Sequence, residues 1–559
     1  MKHAGAAASR FLPGASARRR VGAIRDRCWS TWHTRIPAVA LVLAAFILHC
    51  AAAAHRTANL LEHDEAISLL AAAGNAERID RLLDGPQALC TLGADDLQQY
   101  LRPAEEATAG DVVRSLAHRD THPPLYFLIL HELEKWGIRS LVSLRLFGTI
   151  MILIAAWCAN RWVWPSASPP AKLLATAWVL MTPAMVGIAT ELRQYALVYL
   201  GVVLSIAALV KFREEARPAR HTVMLLAISP VVLGWSQYGT MIWVAICLLV
   251  SAVCLGERRA RGWPVLAGAV VAAGLMLVPV LLWGYQSRFD PRGFSADPLT
   301  NPYGDGLLPL AHSLVEAWLP LPWRLQQTVP PPVIAGMFLL IAAILLLAVA
   351  VLAWGGSAGL DRRLWFAAAL WLGTWLLLLA RGWIPAHAVE PKQLAPLVLV
   401  PVCLLARACS ATRPAWVRRS AMVLLAVSIL AGAPRMLELL SKSADRQLIA
   451  SLGSADCLLA DAPRRGYVMP LVEKMAPAAR VVLVAPPTAL ERWTELEMWL
   501  PDGRLLLAEI NWSPGQPRPA SMQQVVDRLS ARYRQQATLR KEPRRTVTEF
   551  KEKLSAVSH

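Results

Sequence analysis

The chain has 559 residues, 55% of them hydrophobic and only 17% charged, with mean hydropathy +0.41. Apolar runs long enough to cross a bilayer at about 1.5 Å per residue recur along it, which excludes a soluble globular protein and predicts an all-α polytopic membrane protein. A net charge of +18 would suit nucleic acid, but the basic residues cluster before the first apolar run and in short loops. That is the pattern of cytoplasmic topology signals, so the partner expected is the bilayer and no nucleic acid.

Residues 1–35 form a basic arm with Arg18, Arg19, Arg20, Arg25, Arg27 and Arg35, placed in the cytoplasm. The apolar run 36–54 follows. Arm and run both exceed a secretory signal, so the run reads as an uncleaved first span. Residues 55–138 then form an acid-rich external loop, with surface helices expected near 66–73 and 111–117. The loop contains His122-Pro123-Pro124-Leu125-Tyr126, whose prolines open a helix. That helix, carrying His131, Glu132, Glu134 and Lys135, is too short and too polar to cross and is expected to be interfacial or re-entrant.

Positive-inside reasoning sets this choice. If the segment does not cross, spans over 139–283 leave Lys172, Arg213, Arg217, Arg220 and Arg258-Arg259 inside; counting it as a crossing inverts every loop. An external loop follows at 284–332, rich in Pro, Asp and aromatics (Tyr303, Trp318, Trp323), then spans over 333–437, giving about 11 in all. The region 441–559 is placed outside. There Cys457–Asp461 and Val481–Ala485 read as short strands of a small α/β domain, and the final forty residues as a helix plus a disordered end. Of nine cysteines, Cys90 and Cys457 alone fall in segments placed outside, and they read as two separate thiols rather than a bond.

Four short segments carry candidate chemistry. Asp64-Glu65 lies about ten residues past the first run. Adjacent acids there serve either as a general base for an acceptor hydroxyl or as ordinary first-turn helix residues. His122 and Tyr126 mark the proline-led helix. Glu191-Leu-Arg193-Gln-Tyr195 joins two spans, where Arg193 could meet a phosphate or merely solvate a turn. Lys392, in Glu390-Pro-Lys-Gln-Leu-Ala-Pro396, either snorkels or meets a lipid phosphate. The acid pair could also hold a divalent metal, but one pair does not define a site. The sequence contains no phosphate-cradling Gly loop, dinucleotide fingerprint, metal-spaced Cys/His cluster or serine elbow.

The order and spacing of an acid pair, Asp120-Thr-His-Pro-Pro-Leu-Tyr-Phe127, Leu144-Arg145-Leu146-Phe147 and Glu191-x-Arg193-x-Tyr195 resemble the polyprenyl-phosphate-sugar-dependent glycosyltransferases of the GT-C fold. The likeness is to the bacterial branch of the dolichyl-phosphate-mannose protein mannosyltransferase family, which includes the lipid A aminoarabinose transferase type, and it covers roughly residues 35–410. The resemblance implies a GT-C membrane fold and a sugar on a polyprenyl-phosphate lipid donor, transferred on the periplasmic side of a bacterial inner membrane with inversion. The acceptor hydroxyl would be on a glycan, lipid or protein. It implies Asp64 as base with Glu65 supporting, and His122, Tyr126, Glu191 and Tyr195 as substrate contacts. Arg193, Lys392, Arg145 and Arg119 would lie near the donor phosphate. The family's late Arg-Tyr-Leu maps onto Lys392-Gln393-Leu394, two departures from its pattern. Rival readings are a non-catalytic polyprenyl-lipid-binding envelope protein and a lipid or solute transporter.

Overall fold

The computed structural model describes residues 15–83, 89–119, 122–215, 219–256, 263–289, 307–320, 330, 332–333, 336–342, 346, 359–380, 392, 394–410, 413–441, 446–460, 465–484, 486–510, 520–542 and 545–553. The predicted loop residues Tyr303 and Trp323, like Gln393, lie outside them.

The protein is a multi-pass helical membrane protein. Among the described residues four helices are long and apolar enough to cross. They are Ile36–Ala58 within α1 (Ala15–Ala58), Leu141–Val163 comprising α7 (Leu141–Cys158) and a π-turn, most of α10 (Tyr195–Glu214), and the helix Ala415–Ser441. The run expected as one straight span over 171–189 is instead α8 (Pro169–Met181) and α9 (Pro183–Thr190), bent by 50°. Pro183 gives the reason: it lacks an N–H, and it drives Thr182 to an extended ψ of 148°.

Central α10 is 89% buried across its apolar window. Indole pairs fill the membrane core: Trp243 and Trp371, 6.3 Å between ring centroids, lie beside α10, with Trp243 donating to Ser205, while Trp178 and Trp318, at 4.8 Å, bracket Ser428 of the helix Ala415–Ser441. Their neighbours include α11 (Arg220–Ser236), α12 (Thr240–Gly256), α13 (Trp263–Phe289) and α14 (Leu307–Trp318), the last lying within the segment expected as loop. Gly148 lets α7 touch the end of α9, because a Cβ there would collide with the Ala189 carbonyl.

The extramembrane layer begins with α2 (His63–Ala72), α3 (Ala76–Leu83), α4 (Ala94–Gln99), α5 (Ala109–Arg119) and α6 (Leu125–Lys135). Eleven residues make α6 too short to span. Six strands form one sheet in the order β1-β3-β2-β4-β6-β5. Strand β1 (Leu89–Gly93) comes from the first loop and pairs antiparallel with β3 (Arg480–Val484). β2 (Cys457–Ala460) runs parallel to β3 and β4 (Leu505–Ile510), and β5 (Tyr533–Glu542) and β6 (Arg545–Lys553) form a terminal hairpin.

The end of the chain therefore corrects the sequence reading: after the helix Ala520–Arg532 it is strand, through residue 553. Dense charge hid β6, which is buried on both faces, with Val547 in one core and Phe550 in another. Cys90 and Cys457 sit on strands separated by β3, paired to Leu483 and Arg480 respectively. Two inter-strand spacings of about 4.8 Å already exceed disulfide reach.

Candidate active site

The site is built on the first turn of α2. Glu62 precedes the helix with extended backbone, and its N–H donates to Glu65 Oε2 at 3.1 Å, fixing the helix start. Consecutive helical residues point about 100° apart, so the pair divides: Asp64 is 41% exposed and Glu65 only 2%.

Glu65 is fully committed. Arg145 Nη1 donates to its Oε1 and Nη2 to its Oε2 at 2.9 Å, and the Leu192 N–H reaches Oε1 at 3.1 Å. The Arg145 Nη1 also donates to the Thr190 carbonyl at 2.7 Å. Burial pushes the Glu65 carboxyl up, yet the guanidinium of Arg145 prevails and holds it at about 2. This bidentate pair ties α2 to α7 and to the end of α9.

Asp64 faces the other way. Arg193 Nη2 lies 3.4 Å from its Oδ2, and His63 Nδ1 lies 3.1 Å from Oδ1. Arg193 holds the Asp64 carboxyl far below the usual carboxylate range, against the opposing effect of burial. The same guanidinium donates to Ser68 Oγ at 3.4 Å and to His122 Nε2 at 3.3 Å. Lys392 Nζ pairs with Glu191 Oε1 at 3.1 Å, and burial pushes the Glu191 carboxyl up to about 7 against the pull of that ammonium. The Tyr195 ring lies under both cations, 5.9 Å from Arg193 and 5.1 Å from Lys392.

Asp64, His122, Glu191, Arg193, Tyr195 and Lys392 thus meet in one cluster at one end of the spans. Glu65 and Arg145 form a buried brace behind it. Tyr126 is buried in an aromatic group with Phe127 and Phe147, at 5.7 and 6.3 Å. Arg119 ends α5 and its side chain lies outside the described residues.

Arg56 was missed by sequence reasoning. From the last turn of α1 it donates to Glu62 Oε1 at 2.7 Å and to the Gly187 carbonyl at 3.1 Å, with Glu65 at 4.0 Å. The available signal was a cation at the end of the first span opposite the basic arm, where the positive-inside rule expects few. Among the described residues no group of three or more His, Cys, Asp or Glu could hold a metal ion.

Fold and site together define an integral membrane protein with a charged cluster at the ends of its helices and an α/β layer alongside. No family model matches the chain, and no curated protein matches it. Solved structures similar to it include two of one protein. One is ArnT from Cupriavidus metallidurans bound to undecaprenyl phosphate, at 12% identity, covering 92% of this chain and 97% of that one with TM-score 0.47. The other is the same protein in the apo state, at 12% identity, covering 93% and 98% with TM-score 0.46.

Proposed function

We propose that the chain is a membrane glycosyltransferase that moves a sugar from a polyprenyl-phosphate donor to an acceptor hydroxyl, with inversion. The observation that carries this reading is the half-open Asp64 carboxylate standing 3.4 Å from Arg193, an anion and a cation side by side at the bilayer surface. The cluster would lie on the periplasmic side of a bacterial inner membrane, with the basic arm cytoplasmic and about 11 spans in all.

In the step proposed, an oxygen–C1 bond forms from the acceptor as the C1–phosphate oxygen bond breaks. The hydroxyl proton passes to Asp64, and the polyprenyl phosphate departs with the bonding pair. That leaving group is already anionic, so no strong general acid is needed to expel it. Arg193, Lys392 and Arg56 supply positive charge where negative charge develops. A carboxylate as weakly basic as Asp64 takes the proton late, once bond formation has acidified the hydroxyl. Glu65 and Arg145 hold the start of α2 so that Asp64 keeps its aim, and Tyr195 gives Lys392 an aromatic floor.

The test is release of free polyprenyl phosphate by purified protein from a panel of polyprenyl-phosphate sugars, wild type against Asp64→Asn. Loss of about 10²–10⁴-fold in turnover with donor binding kept is expected. Donor binding without turnover in both proteins, across all acceptors offered, would favour the lipid-binding reading. Equal turnover in both would remove Asp64 from the chemistry.

A further inference from the structure

Farther along α6 the same layer of helices borders a partly open polar cavity of about 230 Å³, more than ten times the ~10–15 Å³ that one water needs. Glu134 lines it. This residue is only 1% exposed, and its Oε1 has no hydrogen-bond partner among the described residues. Arg102, Arg139 and Asp95 share the lining and are exposed, and Glu473, paired with Lys474 at 3.0 Å, lies there too. Neither arginine makes an ion pair among the described residues, and both act electrostatically on Glu134. At 1.5 Å per residue, Glu134 lies about 12 Å along α6 from Tyr126, and the wall residues Leu69 and Leu144 stand beside the Glu65–Arg145 brace.

The position of the cavity fixes its surroundings. Leu141 and Leu144 form part of its wall, and Leu141 is the first residue of the candidate span Leu141–Val163. Just before that span Trp136 is 75% exposed and Ile138 37%, the kind of side chains that seat at a membrane interface. The cavity thus stands beside the first residues of that candidate span.

Its charges select the occupant. A purely anionic head would be repelled by Asp95 and Glu473, and a purely cationic one by Arg102 and Arg139. A head with both charges suits both sets, because guanidinium groups take a phosphate well and a buried carboxyl left unpaired is costly. We propose that this cavity binds the head group of a zwitterionic phospholipid, its phosphate on Arg102 and Arg139 and its ammonium on Glu134 and Asp95. Burial pushes the Glu134 carboxyl up to about 8, and an ammonium against it would favour its ionised form. The site stands on the cavity alone and holds whether or not the chain is a transferase.

The full chain, stripped of lipid in detergent, is titrated with short-chain phosphatidylethanolamine, with phosphatidylglycerol of equal chain length, and with free phosphoethanolamine. The unfolding midpoint is followed throughout. A saturable rise is expected with phosphatidylethanolamine and little with phosphatidylglycerol. A rise with free phosphoethanolamine too marks a pocket open to soluble heads; a rise with the lipid alone marks one that also needs acyl chains. Arg102→Gln with Arg139→Gln, and separately Glu134→Gln, are expected to weaken the apparent affinity at least tenfold. The two arginines are exposed, so an unchanged midpoint without lipid separates lost binding from lost fold. Equal responses to both lipids, no saturable response, or full response in the double variant would overturn the proposal.

Discussion

The buried brace gives the most demanding prediction. The Arg145 side chain is 0% exposed and Glu65 2%, so solvent does not dilute their interaction. Glu65→Leu leaves the guanidinium with the Thr190 carbonyl at 2.7 Å as its remaining acceptor, a buried charge without compensation, worth about 3–5 kcal/mol. It also strips the Leu192 N–H of its acceptor, about 1 kcal/mol more. Arg145→Met strands the carboxylate by a similar amount. Removing both together leaves no charge behind and is expected to fall within about 1–2 kcal/mol of wild type. The pair also carries a pH signature. Glu65 is held at about 2 against 4.5 when free, so its stabilisation is complete above about pH 4.5 and fades as pH falls toward 2. Unfolding in graded SDS, followed by tryptophan fluorescence, measures all four proteins. Single losses that add in the double variant would refute the argument, as would single variants within 1 kcal/mol of wild type.

Other outcomes follow from the same structure. Gly148→Ala would push α7 from the Ala189 carbonyl and is expected to cost about 1–3 kcal/mol, read in the same titration. Glu134 is raised to about 8 from 4.5 by burial; the folded state holds that proton longer, so stability is present at low pH and declines from about pH 4.5 to 8. Glu134→Gln should flatten that decline, worth on the order of 5 kcal/mol at most, and an unchanged pH profile would count against it. Thr91 and Val482 are direct partners across β1 and β3, so Thr91→Cys with Val482→Cys should crosslink on oxidation, seen as a reductant-sensitive fragment pair after proteolysis. Failure to link would mean that β1 is paired elsewhere.

Charges near apolar runs made the site partly legible. Asp64, Glu191, Arg193 and Lys392 each stand at the end of a span, where a charge invites a reason. What brought them together could not be read. Arg145 sits inside the apolar run Leu144–Phe147 and plainly needs a partner, but nothing local names Glu65, 80 residues earlier. The break at Thr182 was written in Pro183, although the surrounding run was apolar enough to pass for one straight helix. The sheet was harder. Cys457–Ala460 and Arg480–Val484 are short buried strands with the expected β-branched and apolar character. The hairpin β5–β6 lies in a segment crowded with Lys, Arg and Glu, its register broken by bulges, and β1 is recognisable only through its distant partner. Pairing between remote segments leaves no periodic trace in either one.

The edge pairing of β1 sets a timetable for synthesis. Gln98, just past β1, donates to the carbonyl of Val472 across 374 residues of chain. Leu69 and Leu70 of α2 share a core with Val468, Met469 and Val472. At 5–20 residues per second a ribosome takes roughly 20–75 s to bridge that interval. Throughout it the helix bearing Asp64 lacks the Val468–Val472 side of its packing and β1 lacks its partner strand. A chain that stops early never acquires that support, so incomplete products should be presented to proteases and chaperones before they can act on any lipid.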